Sequence, residues 1–86
     1  MDINQLIEII KKKINQNTSC EKIEIEDKTF LHKSHQSYQY GKFHIKLKIK
    51  SLYLKKISKI ESSKIIYKIL GEELKIYIHS IEILID

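Results

Sequence analysis

The chain is expected to fold as an α+β domain in the order α-β-β-α-α-β, with helices on one face of a three-stranded mixed sheet. Three observations predict this. Apolar residues at Ile3, Leu6, Ile7, Ile10 and Ile14 follow helical spacing, "HIKLKIK" at 44–50 alternates with period two, and "HSIEILI" at 79–85 does the same. Helices and strands that each bury one face must stack those faces together, which leaves the charged sides outward.

The first helix is expected from Asp2 to about Gln16. Asp2 is placed to cap it, and Lys11, Lys12 and Lys13 approach the C-terminal end, where the helix dipole favours cations. "NQNTS" is a polar break. "KIEIED" at 22–27 puts Ile23 and Ile25 on one face and acids on the other, a half-buried strand. A polar stretch with Gly41 near its end follows. In the second strand Ile45, Leu47 and Ile49 point one way, while His44, Lys46, Lys48 and Lys50 take the wet face. "SLYLKKISKI" suits a short helix with Leu54, Ile57 and Ile60 as its stripe. Ser62 or Ser63 then caps a helix over about 63–74 that buries Ile65, Ile66, Ile69, Leu70 and Leu74, weakened at Gly71. In the last strand His79, Ile81, Ile83 and Ile85 share a face.

Eighty-six residues make one domain, 1–86, since there is no room for two cores. No apolar run nears the roughly 18 residues of a membrane span, and the N-terminus lacks the basic start of a signal peptide. A cytoplasmic protein without membrane contact is the expectation. The single Cys20 staples nothing within the chain. Ala, Val, Pro, Trp and Arg are all absent, every one of the 16 basic residues is Lys, and 19 positions are Ile. Such a skew reads as coding bias, so spacing carries more weight than residue type. The net charge of +5 lies wholly in residues 42–86, where ten Lys face five acids. A basic half admits an anionic partner, though with this lysine bias a solvated surface is the commoner explanation.

Topology gathers the histidines. The stretch "FLHKSHQSYQYGKFH", 30–44, links the end of the first strand to the start of the second and carries His32, His35 and His44. Two helices between the second and third strands form a crossover, which makes those strands parallel. The third strand then starts at the same end of the sheet, with His79. Taken singly, each histidine suits an ordinary solvated or hydrogen-bonded role. Together they form a four-histidine end that suits Zn, Cu, Fe or Ni alike.

The chain resembles the BolA family over essentially its whole length. "EDKTFLHKSH" is similar to the family's first-strand end and its His-bearing loop. "KFHIKLKIKS" is similar to its Thr-His-Phe-x-Val strand and following serine. "IIYKILGEELKIYIHSIEI" carries the most specific signature, at Ile66, Tyr67, Leu70, Glu72, Glu73, Leu74, Ile78 and His79. The resemblance implies a class II KH-like fold and a non-enzymatic adaptor that pairs with a monothiol glutaredoxin, sharing a [2Fe–2S] cluster. His79 and one loop histidine would be the ligands. His32 takes that place when counted from the first strand, and His35 when counted back from His44. His44 would stand behind them. Ligation by neutral imidazole would resemble that of Rieske centres and be sensitive to protonation. Cys20 precedes the first strand and does not match the loop cysteine of some relatives.

Two departures bear on the alternative, a DNA-binding transcriptional regulator. The family's Phe-x-Gly is Leu54-Lys55-Lys56 here, and its Arg-His-Arg is Ser62-Ser63-Lys64. Lys55, Lys56, Lys59 and Lys64 would serve only as phosphate contacts, giving weak DNA binding, and no glycine-rich loop clamps a backbone. Enzymatic function is not expected, because Glu72 and Glu73 are adjacent on a helix and read as a solvated or dipole-facing pair. Alone, the protein is expected to be a monomer or a weak homodimer.

Overall fold

The computed structural model describes residues 1–29 and 42–86. Its elements are α1 (Ile3–Asn17), β1 (Lys22–Asp27), β2 (Phe43–Lys50), α2 (Leu52–Lys56), α3 (Lys59–Ile69), α4 (Gly71–Ile76) and β3 (Ile78–Ile85). Asp2 caps α1 as expected, within a capping box: Gln5 N–H donates to Asp2 Oδ1 at 2.8 Å, and Asp2 N–H to Gln5 Oε1 at 3.0 Å. The helix runs on to Asn17, so its last turn holds no basic residue and the three lysines lie a turn earlier.

The sheet has the order β1-β2-β3, with β1 antiparallel to β2 and β2 parallel to β3. One core fills the space beneath it. Leu6, Ile10 and Ile14 of α1 meet Ile45, Leu47 and Ile49 of β2, together with Leu54, Ile66, Leu70 and Ile78, all nearly or fully inaccessible. Burying each such side chain contributes roughly 1.5–3 kcal/mol.

The region between β2 and β3 is divided differently from the sequence expectation. Ser58, not Ser62 or Ser63, caps α3, accepting from Glu61 N–H at 3.1 Å. Ser62 is instead buried within the helix and donates to Lys59 O at 3.0 Å. The expected stripe through Leu54, Ile57 and Ile60 breaks at that cap, and Ile60 is 70% exposed. The expected single helix to residue 74 also divides: Leu70 leaves helical geometry at φ −96° and ψ 19°, and α4 begins at Gly71. The break keeps Leu70 in the core and turns Glu73 inward.

On the outer face charges alternate across strands. Glu24 lies opposite Lys48, and Glu26 opposite Lys46, which also faces Glu82. Hydrogen bonds from Lys22 at 2.9 Å and Lys28 at 3.0 Å hold the carboxyls of Glu24 and Glu26 below their ordinary range. Depressed carboxyls stabilise the fold above their unfolded value, and that part is lost as pH falls through the folded value. Glu24→Gln with Glu26→Gln should therefore flatten the acid limb of melting temperature against pH, and less so in high salt.

Candidate site at the histidine end of the sheet

The end of β1 is tied to the start of β2 by a short polar network. Asp27 Oδ1 accepts from Thr29 N–H at 3.0 Å and from the Thr29 hydroxyl, forming an Asx-type turn. Thr29 Oγ1 accepts from His44 N–H at 3.2 Å, and Lys28 N–H donates to His44 O at 2.7 Å. The acidic-x-Thr spacing thus fixes where the segment after β1 departs, beside His44.

His44 does not stand on a wet face. It is 3% exposed, with a 2.6 Å hydrogen bond linking its Nδ1 to Ser80 Oγ. The Asp27–Thr29 turn adjoins it on one side and β3 on the other.

A bulge sets the position of His79. Phe43 pairs with Ile78, and the next residue, His44, pairs with Ser80, so β3 holds one residue more than β2 here and His79 is the extra one. Ile78 takes the core position, 2% exposed, and Ile81, Ile83 and Ile85 resume the core side two residues beyond the bulge. His79 therefore does not open the face those three share, as plain alternation suggested. Its ring packs against His44, with centroids 4.8 Å apart and planes tilted by 58°. It is half-buried, and among the described residues its ring nitrogens make no hydrogen bond.

The parallel pairing of β2 and β3 thus brings His44 and His79 together. His32 and His35 lie outside the described residues, which resume at Lys42. Among the described residues, no group of three or more His, Cys, Asp or Glu side chains is arranged to hold a metal ion. Cys20 lies before Lys22, which pairs with Lys50 at the opposite end of the sheet from Asp27. Burial, with Glu21 nearby, pushes its thiol pKa up, and it donates to Asn15 Oδ1 at 3.2 Å.

Ser80, Thr29 and Asp27 complete the site. The Asp-x-Thr spacing was a readable turn signal; Ser80 carried none. Glu73 reads differently too. It is 5% exposed and takes two hydrogen bonds from Lys13 Nζ, at 2.9 and 2.8 Å, whereas Glu72 is exposed. Lys55, Lys56, Lys59 and Lys64 are all exposed on α2 and α3. No described helix is long and apolar enough to cross a membrane.

The family model described as "BolA-like protein" matches residues 14–85. Among solved structures, the BolA domain of SufE1 from Arabidopsis thaliana superposes with a TM-score of 0.78 at 23% identity, covering 100% of this chain and 93% of that one. BolA1 from the same plant gives 0.72 at 21%, covering 90% and 85%. The solution structure of BolA1 from Mus musculus gives 0.71 at 21%, covering 90% and 60%. No curated protein matches the chain by sequence.

Proposed function

The chain belongs to the BolA-like protein family, and from that premise we propose that it is a non-enzymatic adaptor that pairs with a monothiol glutaredoxin to hold or pass a [2Fe–2S] cluster. The observation that carries this reading is His79. A bulge sets it at the end of the sheet, half-exposed, with ring nitrogens that no described residue engages. An imidazole left in that state can be a ligand.

The donors suit a cluster shared between two proteins. Among the described residues His79 is the accessible imidazole at this end, while His44, buried and linked to Ser80, holds its ring from behind. A second ligand from this chain would be His32 or His35, and thiolates would come from the partner. Histidine ligation gives such a cluster a higher reduction potential than thiolates alone.

The test mixes the protein with a cluster-loaded monothiol glutaredoxin and follows size and visible circular dichroism. A heterodimer with a shifted spectrum is expected, and His79→Ala should abolish the shift. His32→Ala and His35→Ala, compared in the same assay, identify the loop ligand. Absence of any heterodimer at micromolar concentrations overturns the proposal. The second reading, a DNA-binding regulator, rests on the exposed Lys55, Lys56, Lys59 and Lys64. Phosphate contacts alone give salt-sensitive, largely sequence-independent affinity, and no arginine is present to read guanine. Sequence-selective binding at physiological salt would favour it.

A further inference from the structure

Among the described residues no strand pairs with the outer edge of β3. Asp86 turns both backbone groups toward β2: its N–H donates to Ile49 O at 2.8 Å, and its C=O accepts from Ser51 N–H at 3.0 Å. Backbone groups alternate sides along a strand, so Ile81, Ile83 and Ile85 turn theirs away from β2. Among the described residues only Lys55 Nζ reaches any of these outward groups, at Ile85 O over 3.5 Å. A row of outward N–H and C=O groups is a template for another strand.

Beside this edge runs a groove of about 350 Å³ between β3 and the turn from α2 to α3. Ile57, Ile83 and Ile85 give it apolar walls, and Lys55 and Lys59 stand along it against one acid, Asp86. We infer that the β3 edge and this groove bind an extended acidic peptide, which adds to the sheet as a fourth strand. Its backbone pairs with Ile81, Ile83 and Ile85, and every second side chain faces the groove, where apolar ones meet Ile57, Ile83 and Ile85 and acidic ones meet Lys55 and Lys59. Lys55, already at Ile85 O, lies where an incoming carboxylate would end the pairing. A nucleic acid suits the groove less well, since the turn at Ile57–Ser58 has no glycine to admit a sugar–phosphate backbone. His79 lies at the other end of β3, roughly 20 Å away at ~3.3 Å per residue, so this inference does not depend on the cluster.

The experiment uses the full chain, isotope-labelled, with the fluorescent octapeptide Ser-Val-Ser-Glu-Ser-Val-Ser-Glu, whose Val and Glu share one face of a strand. Saturable binding is expected, with slowed amide exchange at Ile81, Ile83 and Ile85 and none at His79. Lys55→Glu with Lys59→Glu should weaken binding about tenfold or more without changing the melting temperature of the free chain. A peptide N-methylated at alternate amides, which cannot pair, should not bind. Equal binding by that peptide, or by one with Lys for Glu, overturns the inference. So does unchanged exchange at millimolar peptide. Tighter binding of an oligothymidine would mark a nucleic-acid surface instead, and protection that rises with protein concentration alone would mark a second copy of the chain; either result also overturns it.

Discussion

Lys13→Ala should destabilise the fold by about 2–3 kcal/mol, because it leaves the Glu73 carboxylate buried without its cation. For a domain of this size that is a fall in melting temperature of roughly 10–15 °C. The Glu73 side chain is 6% exposed and Lys13 Nζ lies 2.8 Å from it, so the carboxylate has little water to turn to. Lys13 itself is 32% exposed, which places the cost below that of a fully buried pair. The pair fastens α1 to α4, the short helix that leads directly into β3. Glu73→Ala should cost less, since the freed lysine can reach solvent. Lys13→Met with Glu73→Leu should recover most of the loss, because apolar side chains of similar volume often replace a buried pair at no cost. Chemical denaturation of the parent, the two alanine variants and Lys13→Ala with Glu73→Ala gives the coupling energy. If Lys13→Ala changes stability no more than an exposed Lys12→Ala, the pair contributes nothing.

The pH dependence of that difference has a definite sign. The hydrogen bond to Glu73 raises the Lys13 pKa above its ordinary value, against an opposing effect of desolvation. A raised lysine contributes stability in full below its unfolded value and loses it as pH rises through the folded value. The part of the gap that comes from the lysine should therefore hold through neutral pH and be lost in strong alkali.

What the sequence disclosed follows from which interactions are local. The alternation in β2 was plain because one face meets the core along its whole length, and Asp2 was plain because a capping box spans only four residues. The start of α3 was obscure because Ser58, Ser62 and Ser63 are equivalent candidates, and packing alone decides that Ser62 goes inward. Glu73 looked solvated because its partner is 60 residues away. The composition added to this: with 19 Ile, an apolar residue at a given position says little, as exposed Ile60 illustrates. At the site, parallel pairing of the last two strands was enough to bring His44 beside His79. The bulge was not readable, because "HSIEILI" alternates without a fault. Only Ile78, paired with Phe43 and buried, reveals that the strand begins one residue earlier and out of phase.

On the proposed reading, deleting Ser80 should abolish cluster pairing with a glutaredoxin while the domain still folds and keeps all four histidines. The reasoning is one of register. Phe43–Ile78 and Ile45–Ile81 are fixed on either side by the core, with two residues of β3, His79 and Ser80, opposite the single His44. Removing one of the two lets the ladder run without a bulge, and bulged residues are extra to the pairing, so stability should change little. With Ser80 gone, His79 must take its place in register opposite His44. The imidazole then points from the charged face of the sheet rather than sitting at its end, and the His44–Ser80 hydrogen bond is lost. Deleting His79 also makes the strand regular but keeps Ser80 and that bond. Both deletions should fail to shift the visible spectrum of a cluster-loaded glutaredoxin, the second for want of a ligand and the first for want of position. Displacing the groups that orient a ligand typically costs 10–100-fold in affinity, so about that loss is the least expected for the Ser80 deletion. Ser80→Ala, which keeps the bulge, should lose less. A Ser80 deletion that pairs as well as the parent would show that the bulge has no part in presenting His79, and the ligand would then have to be sought elsewhere in the chain.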